Sequence, residues 1–340
     1  MFCDKCQFIP RILSEGIFEI TTPSPILMDS LTSMFNRSGE TFLISYSSFS
    51  ELSTICEKID KAFSRKASTI FSCATLSSVD EKKIAISFPH FYTRLQNMEY
   101  IAIMEEGMFT AHMQPIISLQ SGGIEAYEFL LRPTNQQHPF KPFDLFEVAR
   151  NSGLQSYLDS AARKKAIEVS SQLIPRGIKR FINFLPSSIY DPAHCLRTTF
   201  RAVEEHGVDP SDLVFEVVET EKIQRIDHLK NIFHTYKKEG MKVALDDLGT
   251  GYSTRELLLD LKPDYAKIDR SYIEQCHKDR SKQHALIELG KLAREEGILL
   301  LAEGIEQKEE ADFCAEIGVR FGQGYYYGKP SDKPFSRLHT

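Results

Sequence analysis

The sequence predicts an α/β protein in which a closed, TIM-like (β/α)8 barrel follows a small α/β domain. Three observations carry this expectation. From about Phe109 to the end of the chain, short apolar runs alternate with helix-period segments, the pattern of a parallel sheet joined by crossover helices. Nearly every one of those runs is interrupted or ended by one acid, amide or lysine, and closing the sheet would bring these to one rim. The first ninety-odd residues have another texture, rich in Ser and Thr and without acids at strand ends.

At 340 residues the chain has room for a barrel and an appendage, and 42% hydrophobic residues support a sizeable core. Residues 1–95 are read as the small regulatory or sensory domain, 96–108 as a helical connector, and 109–336 as the barrel. In the first part, Ser24 and Pro25 open a helix with Leu27, Leu31 and Met34 on one face. A strand over 41–46 and a helix over 51–63, with Leu52, Ile55, Ile59 and Phe63 in register, come next. Strands are expected over 69–73 and 83–88, and a helical stretch over 92–107 with Met98, Ile101 and Met104 on successive turns. Cys3 and Cys6 form a CxxC, half of a zinc site whose second pair is absent at close spacing.

In the barrel, a strand over 125–132 carries Glu128 among apolar neighbours. A helix over 156–173 turns Leu158, Ala162, Val169 and Leu173 inward, and a strand over 180–185 holds Asn183. After a helix over 196–205 stopped by Gly207, the strand over 213–220 places Glu216 on one face and Glu219 on the other. A helix over 226–239 stops at Gly240, and a short apolar run then ends in Asp246 and Asp247, before a loop with Gly249 and Gly251. Thr254 is a plausible N-cap for a helix bearing Leu257, Leu258 and Leu261, which Pro263 ends. The next strand, 264–269, sets Tyr265, Lys267 and Asp269 on one face. A helix over 283–296 stops at Gly297, a strand over 298–303 ends in Glu303, and a last strand near 321–327 holds Gln323.

Taken singly, these polar residues have ordinary readings: a satisfied buried acid at Glu128, a turn residue at Asn183, a turn cap at Asp246. Gathered at one rim, the carboxylates would repel one another unless a cation shared them. Carboxylate and amide oxygens without an evident histidine suit one or two Mg²⁺ or Mn²⁺ ions rather than zinc. The net charge of −6 arises from mixed signs with no basic block, so duplex nucleic acid is not an expected partner. No apolar run reaches membrane-spanning length, and charged Asp4, Lys5, Arg11, Glu15 and Glu19 do not suit a signal peptide. Seven scattered cysteines fit reduced thiols, so a cytoplasmic protein is expected.

The chain from about Phe109 to Pro334 resembles the EAL-type cyclic di-GMP phosphodiesterase family. The signature stands as Glu128-Phe129-Leu130, followed by Leu131 and Arg132. FINFLPSS, FEVVETE, DDLGTGYST, DYAKIDRSYI, LLAEGIE and GQGYYYGKP follow in the family's order. The resemblance implies one metal held by Glu128, Asn183, Glu216 and Asp246, and a second by Asp246 and Asp247. It implies Lys267 and Glu303 beside the attacking water and Gln323 in support. Arg132 would contact a ligand phosphate, and Gln114, Leu131 and Asp269 are further expected substrate contacts. Glu219 would anchor the loop after Asp247 and support a homodimer. The implied reaction converts cyclic di-GMP to linear pGpG; the alternative is a silent cyclic di-GMP receptor signalling through the N-terminal domain. A metal-assisted lyase using Lys267 as base is a reading that ignores the resemblance. Three residues depart from the family pattern: Phe129, expected to pack outward, Val218, and Leu248, which could loosen its loop. No GGDEF-like run occurs, so a bifunctional enzyme is not expected.

Overall fold

A computed structural model describes residues 9, 11–63, 71–77, 84–217, 226–248 and 254–335, with the backbone alone at 247, 254 and 255. The expected CxxC at Cys3 and Cys6, and Val218 and Glu219, lie outside the described residues. The chain forms two compact units. One is Met1–Met108 with Asn135–Leu158; the other is Phe109–Thr134 with Asp159–Thr340.

The first unit contains β1 (Gly16–Thr21), α1 (Pro25–Thr32), β2 (Arg37–Ser38), β3 (Thr41–Tyr46), α2 (Phe49–Ala62), β4 (Ser72–Leu76) and β5 (Ile86–Ser87). The strands lie in the order β2-β3-β1-β4-β5, every neighbouring pair antiparallel, which is the split β-α-β-β-α-β arrangement with one added edge strand. Ser24 caps α1 as expected, its side chain accepting from the Leu27 N–H. The second helix starts two residues ahead of the expected 51 because Ser48 caps it, while Glu51 reaches back to the Ser47 N–H at 2.8 Å. β1 was not foreseen, although its Phe18 and Ile20 lie at the centre of this core with Phe42, Leu52 and Phe88. The strand expected over 83–88 shrinks to β5, because Phe88 and Pro89 begin α3 (Phe88–Gln96). The expected connector is therefore two helices, α3 and α4 (Met98–Glu106), broken at Asn97 and stopped by left-handed Gly107. Helix α5 (Pro142–Asn151) belongs to this unit too, tied to α3 by the Arg94 guanidinium donating to the Ser152 carbonyl at 3.0 Å.

The second unit is a closed barrel of eight strands: β6 (Phe109–Ser118), β7 (Ile124–Pro133), β8 (Lys179–Phe184), β9 (Leu213–Val217), β10 (Lys242–Leu248), β11 (Tyr265–Ile268), β12 (Leu299–Ala302) and β13 (Phe321–Gly322). The all-parallel expectation needs one correction: β6 runs antiparallel to both β7 and β13. The cause is the connection, since the turn after Ser118 closes with the Ser118 N–H bonded to the Gly123 carbonyl and left-handed Gly122, leaving no room for a crossover.

From β7 onward helices separate the strands. They are α6 (Gln155–Leu173), α7 (Pro192–Cys195), α8 (Arg197–Glu205), α9 (Ile226–Lys238), α10 (Thr254–Leu261), α11 (Arg270–Ile273), α12 (Arg280–Glu296) and α13 (Lys308–Glu316). Leu173 is 39% exposed rather than inward, because the buried face of α6 runs through Leu158, Arg163, Ala166, Ile167 and Ser170. That face carries a buried Asp159–Arg163 pair, whose guanidinium also donates to Thr199. The final strand ends at Gly322, five residues short of the expected Tyr327, and α13 was not foreseen. Among the described residues no helix is long and apolar enough to cross a membrane.

Side chains alternate across the barrel wall. Phe129, Phe184, Phe215, Val243, Leu245, Ala266 and Leu300 pack outward against the helices, with Phe129 where the sequence placed it. Inward, each strand gives one residue to a single apolar layer: Ile116, Ala126, Phe181, Val214, Ala244, Tyr265, Leu301 and Phe321. Phe181 and Tyr265 meet edge to face at 5.1 Å, so the interior is filled rather than open.

Candidate active site

One pleat above that apolar layer lies a ring of polar residues. Two residues on from each interior side chain, or two back on antiparallel β6, stand Gln114, Glu128, Asn183, Glu216, Asp246, Lys267, Glu303 and Gln323. Glu303 and Gln323 fall just past their strands, yet the backbone ladder still holds them. The Glu303 N–H bonds to the Ile268 carbonyl at 3.1 Å, and the Gln323 N–H to that of Ala302 at 2.8 Å. Between Leu245 and Leu248 the register of β10 against β11 shifts, two residues facing one. This bulge falls on the Asp246–Asp247 backbone and ends the regular pairing where two acids stand in a row.

Lys267, 1% exposed, is the hub. Its ammonium lies 2.8 Å from Glu303, 3.0 Å from Glu216, 3.2 Å from Asp246 and 3.8 Å from Glu128. Burial opposes its charge, but the carboxylates of Asp246, Glu128, Glu216 and Glu303 outweigh that and hold its pKa well above the ordinary lysine value.

Glu128 is fixed by amides, with Asn183 donating to one oxygen at 3.0 Å and Gln323 to the other at 2.6 Å. Gln323 also donates to the Gln114 carbonyl at 3.1 Å, and Gln114 in turn to the Gly328 backbone oxygen at 3.2 Å. Burial would raise Glu128, but the Lys267 charge, a hydrogen bond with the Glu216 carboxyl and the amide donors bring it below the usual range.

Glu216 differs. Burial, with the neighbouring Glu128 and Asp246 charges added, pushes its carboxyl well up in spite of Lys267. Its partners are the Lys267 ammonium, 3.0 Å from one oxygen, and the Glu128 carboxylate, with which its carboxyl shares a hydrogen bond. Burial, opposed by Lys267 and reinforced by Asp246 and Glu128, carries Glu303 to about 8.

Four acids thus share one ammonium. Among the described residues no group of three or more His, Cys, Asp or Glu side chains is arranged to hold a metal as it stands, because the carboxylates converge on the lysine. The donor chemistry nevertheless fits a hard divalent cation: all the donors are oxygen, and four acids carry surplus negative charge around one ammonium.

Arg132 shares the Glu128 face of β7, donating to the Leu131 carbonyl at 2.7 Å. Its pKa is lowered by burial, with Glu128 and Tyr325 acting against that. Leu131 itself lies on the opposite face, in register with Ala111, and its side chain is not part of the ring. Asp269 is not in a strand: β11 stops at Ile268, and the Asp269 carboxylate caps α11 by accepting from the Ser271 N–H at 2.9 Å. Leu248 is buried in the outer core, and residues 249–253 of the loop it was expected to loosen lie outside the described residues. The side chain of Asp247 is not among those described. Sequence reasoning missed Glu310, a buried acid on α13, although the Gln307-to-Glu310 spacing is a legible capping-box signal.

Comparison with known proteins accords with this geometry. A model of the EAL domain matches residues 94–330. The chain is 30% identical over 244 residues to the cyclic di-GMP phosphodiesterase PdeL of Escherichia coli K12, covering 70% of this chain and 67% of PdeL. It is 32% identical to PdeG of the same organism, named a probable cyclic di-GMP phosphodiesterase, of which it spans 45%. Among solved structures, a standalone EAL protein from Vibrio cholerae O395 in its c-di-GMP-bound form is 33% identical, with a TM-score of 0.60 over 66% of this chain and 93% of that one. At the level of fold alone, Klebsiella pneumoniae BlrP1 covers 93% of this chain at 20% identity and a TM-score of 0.62, spanning 85% of that structure. With its barrel, its acid ring and a family match over most of its length, the chain belongs to the EAL-domain family.

Proposed function

We propose that the chain is a divalent-cation-dependent phosphodiesterase that hydrolyses cyclic di-GMP to linear pGpG. The observation that carries this reading is the surplus of buried carboxylate around Lys267, four acids within 3.8 Å of one ammonium. Its kinship with PdeL supplies the substrate class.

Glu128, Asn183, Glu216 and Asp246, with Asp247 for a second ion, would hold Mg²⁺ or Mn²⁺, which when bound neutralises phosphoryl oxygens and lowers the pKa of water. The protein groups do the rest. Asn183 and Gln323 orient Glu128, so its carboxylate cannot rotate away. Lys267 sets a fixed positive charge beside the reacting phosphate. Glu303, made more basic by burial, suits taking a proton from water once it is ionised beside Lys267. Arg132 offers a fork of donors to a phosphate, suiting a dianionic ligand to a protein of net charge −6. The first unit serves as a regulatory domain, and the protein works as a cytoplasmic homodimer, which a solution mass equal to one chain would contradict.

The test is incubation of purified protein with cyclic di-GMP and Mg²⁺ or Mn²⁺, with the linear product followed by chromatography beside a Glu128→Ala control. Product from the native chain alone is expected. Saturable binding without product under either metal would make the protein a receptor.

A further inference from the structure

Two loops leave the rim beside the closest ion pair of the polar ring. One follows β11 and Lys267; the other follows β12 and begins with Glu303. The Lys267 ammonium and the Glu303 carboxylate are 2.8 Å apart, so their spacing depends on how these loops are held together. Glu310, 1% exposed on α13, spans both. One of its oxygens accepts the Gln275 N–H at 2.9 Å, from the loop after Lys267. The other accepts the N–H groups of Glu306 at 3.0 Å and Gln307 at 3.1 Å, from the loop after Glu303.

An ordinary capping box accounts only for the bond to the Gln307 N–H, reciprocated by the Gln307 side chain. The bond to Gln275 lies outside it, and it is made from strained backbone, Gln275 having φ 59° without being glycine. The same two loops also meet at close range elsewhere. Gly304, at φ +68°, has no space for a side chain, since a Cβ there would stand 2.5 Å from Arg270, and Arg270 pairs with Glu306 at 2.9 Å on the surface. Of these ties only that through Glu310 is buried, with three charge-assisted bonds on one carboxylate.

We propose that Glu310 is a positioning residue: through its carboxylate it locks the loop after Lys267 to the loop after Glu303 and so sets the Lys267–Glu303 contact. The inference rests on the hydrolase reading of the site and deepens it. Glu310→Gln is the discriminating variant. A glutamine still completes the capping box with its carbonyl oxygen, but its NH₂ group faces the Gln275 N–H donor to donor, so the cap survives and the tie is cut.

In the full chain, E310Q is expected to keep its melting temperature within a few degrees and to lower kcat for cyclic di-GMP on the order of 10- to 100-fold, with KM within about twofold. Amide hydrogen exchange should quicken at Gln275 and stay slow at Glu306 and Gln307. Unchanged kcat, whether or not exchange at Gln275 quickens, would overturn the proposal. Should E310Q fail to fold, Glu310→Asp keeps the charge but shortens the reach, and the same readouts apply. Absence of turnover by the native chain would instead overturn the hydrolase reading. The tie is then judged by Mn²⁺ affinity, which E310Q weakens about tenfold if Glu310 sets the rim and leaves unchanged if it does not.

Discussion

Lys267→Met removes the one ammonium that four buried or nearly buried carboxylates share at 2.8 to 3.8 Å. Taking away one partner of a buried ion cluster leaves uncompensated charge and costs about 3–5 kcal/mol. At roughly 2–4 °C per kcal/mol for a domain of this size, the barrel should melt some 6–20 °C lower in EDTA. The loss depends on pH in a definite sense. Glu216 and Glu303 are pushed upward by burial, and at low pH they take up protons and no longer need the lysine; at high pH they ionise and do. The gap between native and variant should therefore widen between pH 6 and pH 9. Mn²⁺ should raise the melting temperature of the variant, because an ion binding the folded state at a hundredfold over its Kd contributes about 2.7 kcal/mol. Calorimetry or circular dichroism suits a chain without tryptophan. Equal melting of variant and native protein in EDTA at pH 9, or no rescue by Mn²⁺, would refute the reasoning that Lys267 and a divalent cation balance the same acids.

Other perturbations report on what holds the ring. A Cβ at Gly324 (φ +159°) would lie 2.0 Å from the Ile305 carbonyl oxygen, so Gly324→Ala must push Gln323 off Glu128. Calorimetry should show about 1–3 kcal/mol of destabilisation, accompanied by a fall in turnover. Phe181→Ala empties the apolar layer beneath the ring and should cost about 3–5 kcal/mol, read by denaturant titration. In the first unit, burial and then the Arg94 charge depress the His90 pKa below its usual 6.5. The unfolded chain takes up that proton first, so this stability is full above about pH 6.5 and is lost as pH falls through the folded value. Thermal melts of the native chain should decline from pH 7.5 to pH 5, and His90→Gln should flatten the decline.

Apart from Gln114, the ring was legible in the sequence because its members interrupt or end apolar runs at the same phase, as Glu128 does in AYEFLLR and Lys267 in DYAKIDR. The family resemblance added the order of those segments. What escaped was set by contacts that no local pattern records. β6 reverses because a short turn replaces a crossover. Asp269 leaves the ring because capping α11 competes with continuing a two-residue alternation. Leu173 looked like a core position, yet the buried face of its helix is built around the Asp159–Arg163 pair, which hydrophobic periodicity cannot see. Helix α5 was invisible as part of the first unit because its sequence lies between two barrel elements. Glu310 was readable as a cap, but its bond to Gln275 joins residues 35 positions apart.

Conversion of cyclic di-GMP to pGpG by EDTA-stripped protein, before and after adding Mn²⁺, asks most directly whether the buried Glu216 carboxylate holds a divalent cation needed for hydrolysis. The comparison is with Glu216→Gln, shown to be folded by its circular dichroism. The native chain should be silent when stripped and active when Mn²⁺ returns, and the variant silent in both states. Turnover by stripped native protein, or Mn²⁺-restored turnover by Glu216→Gln, would contradict the assignment of this acid ring as a metal-dependent phosphodiesterase site.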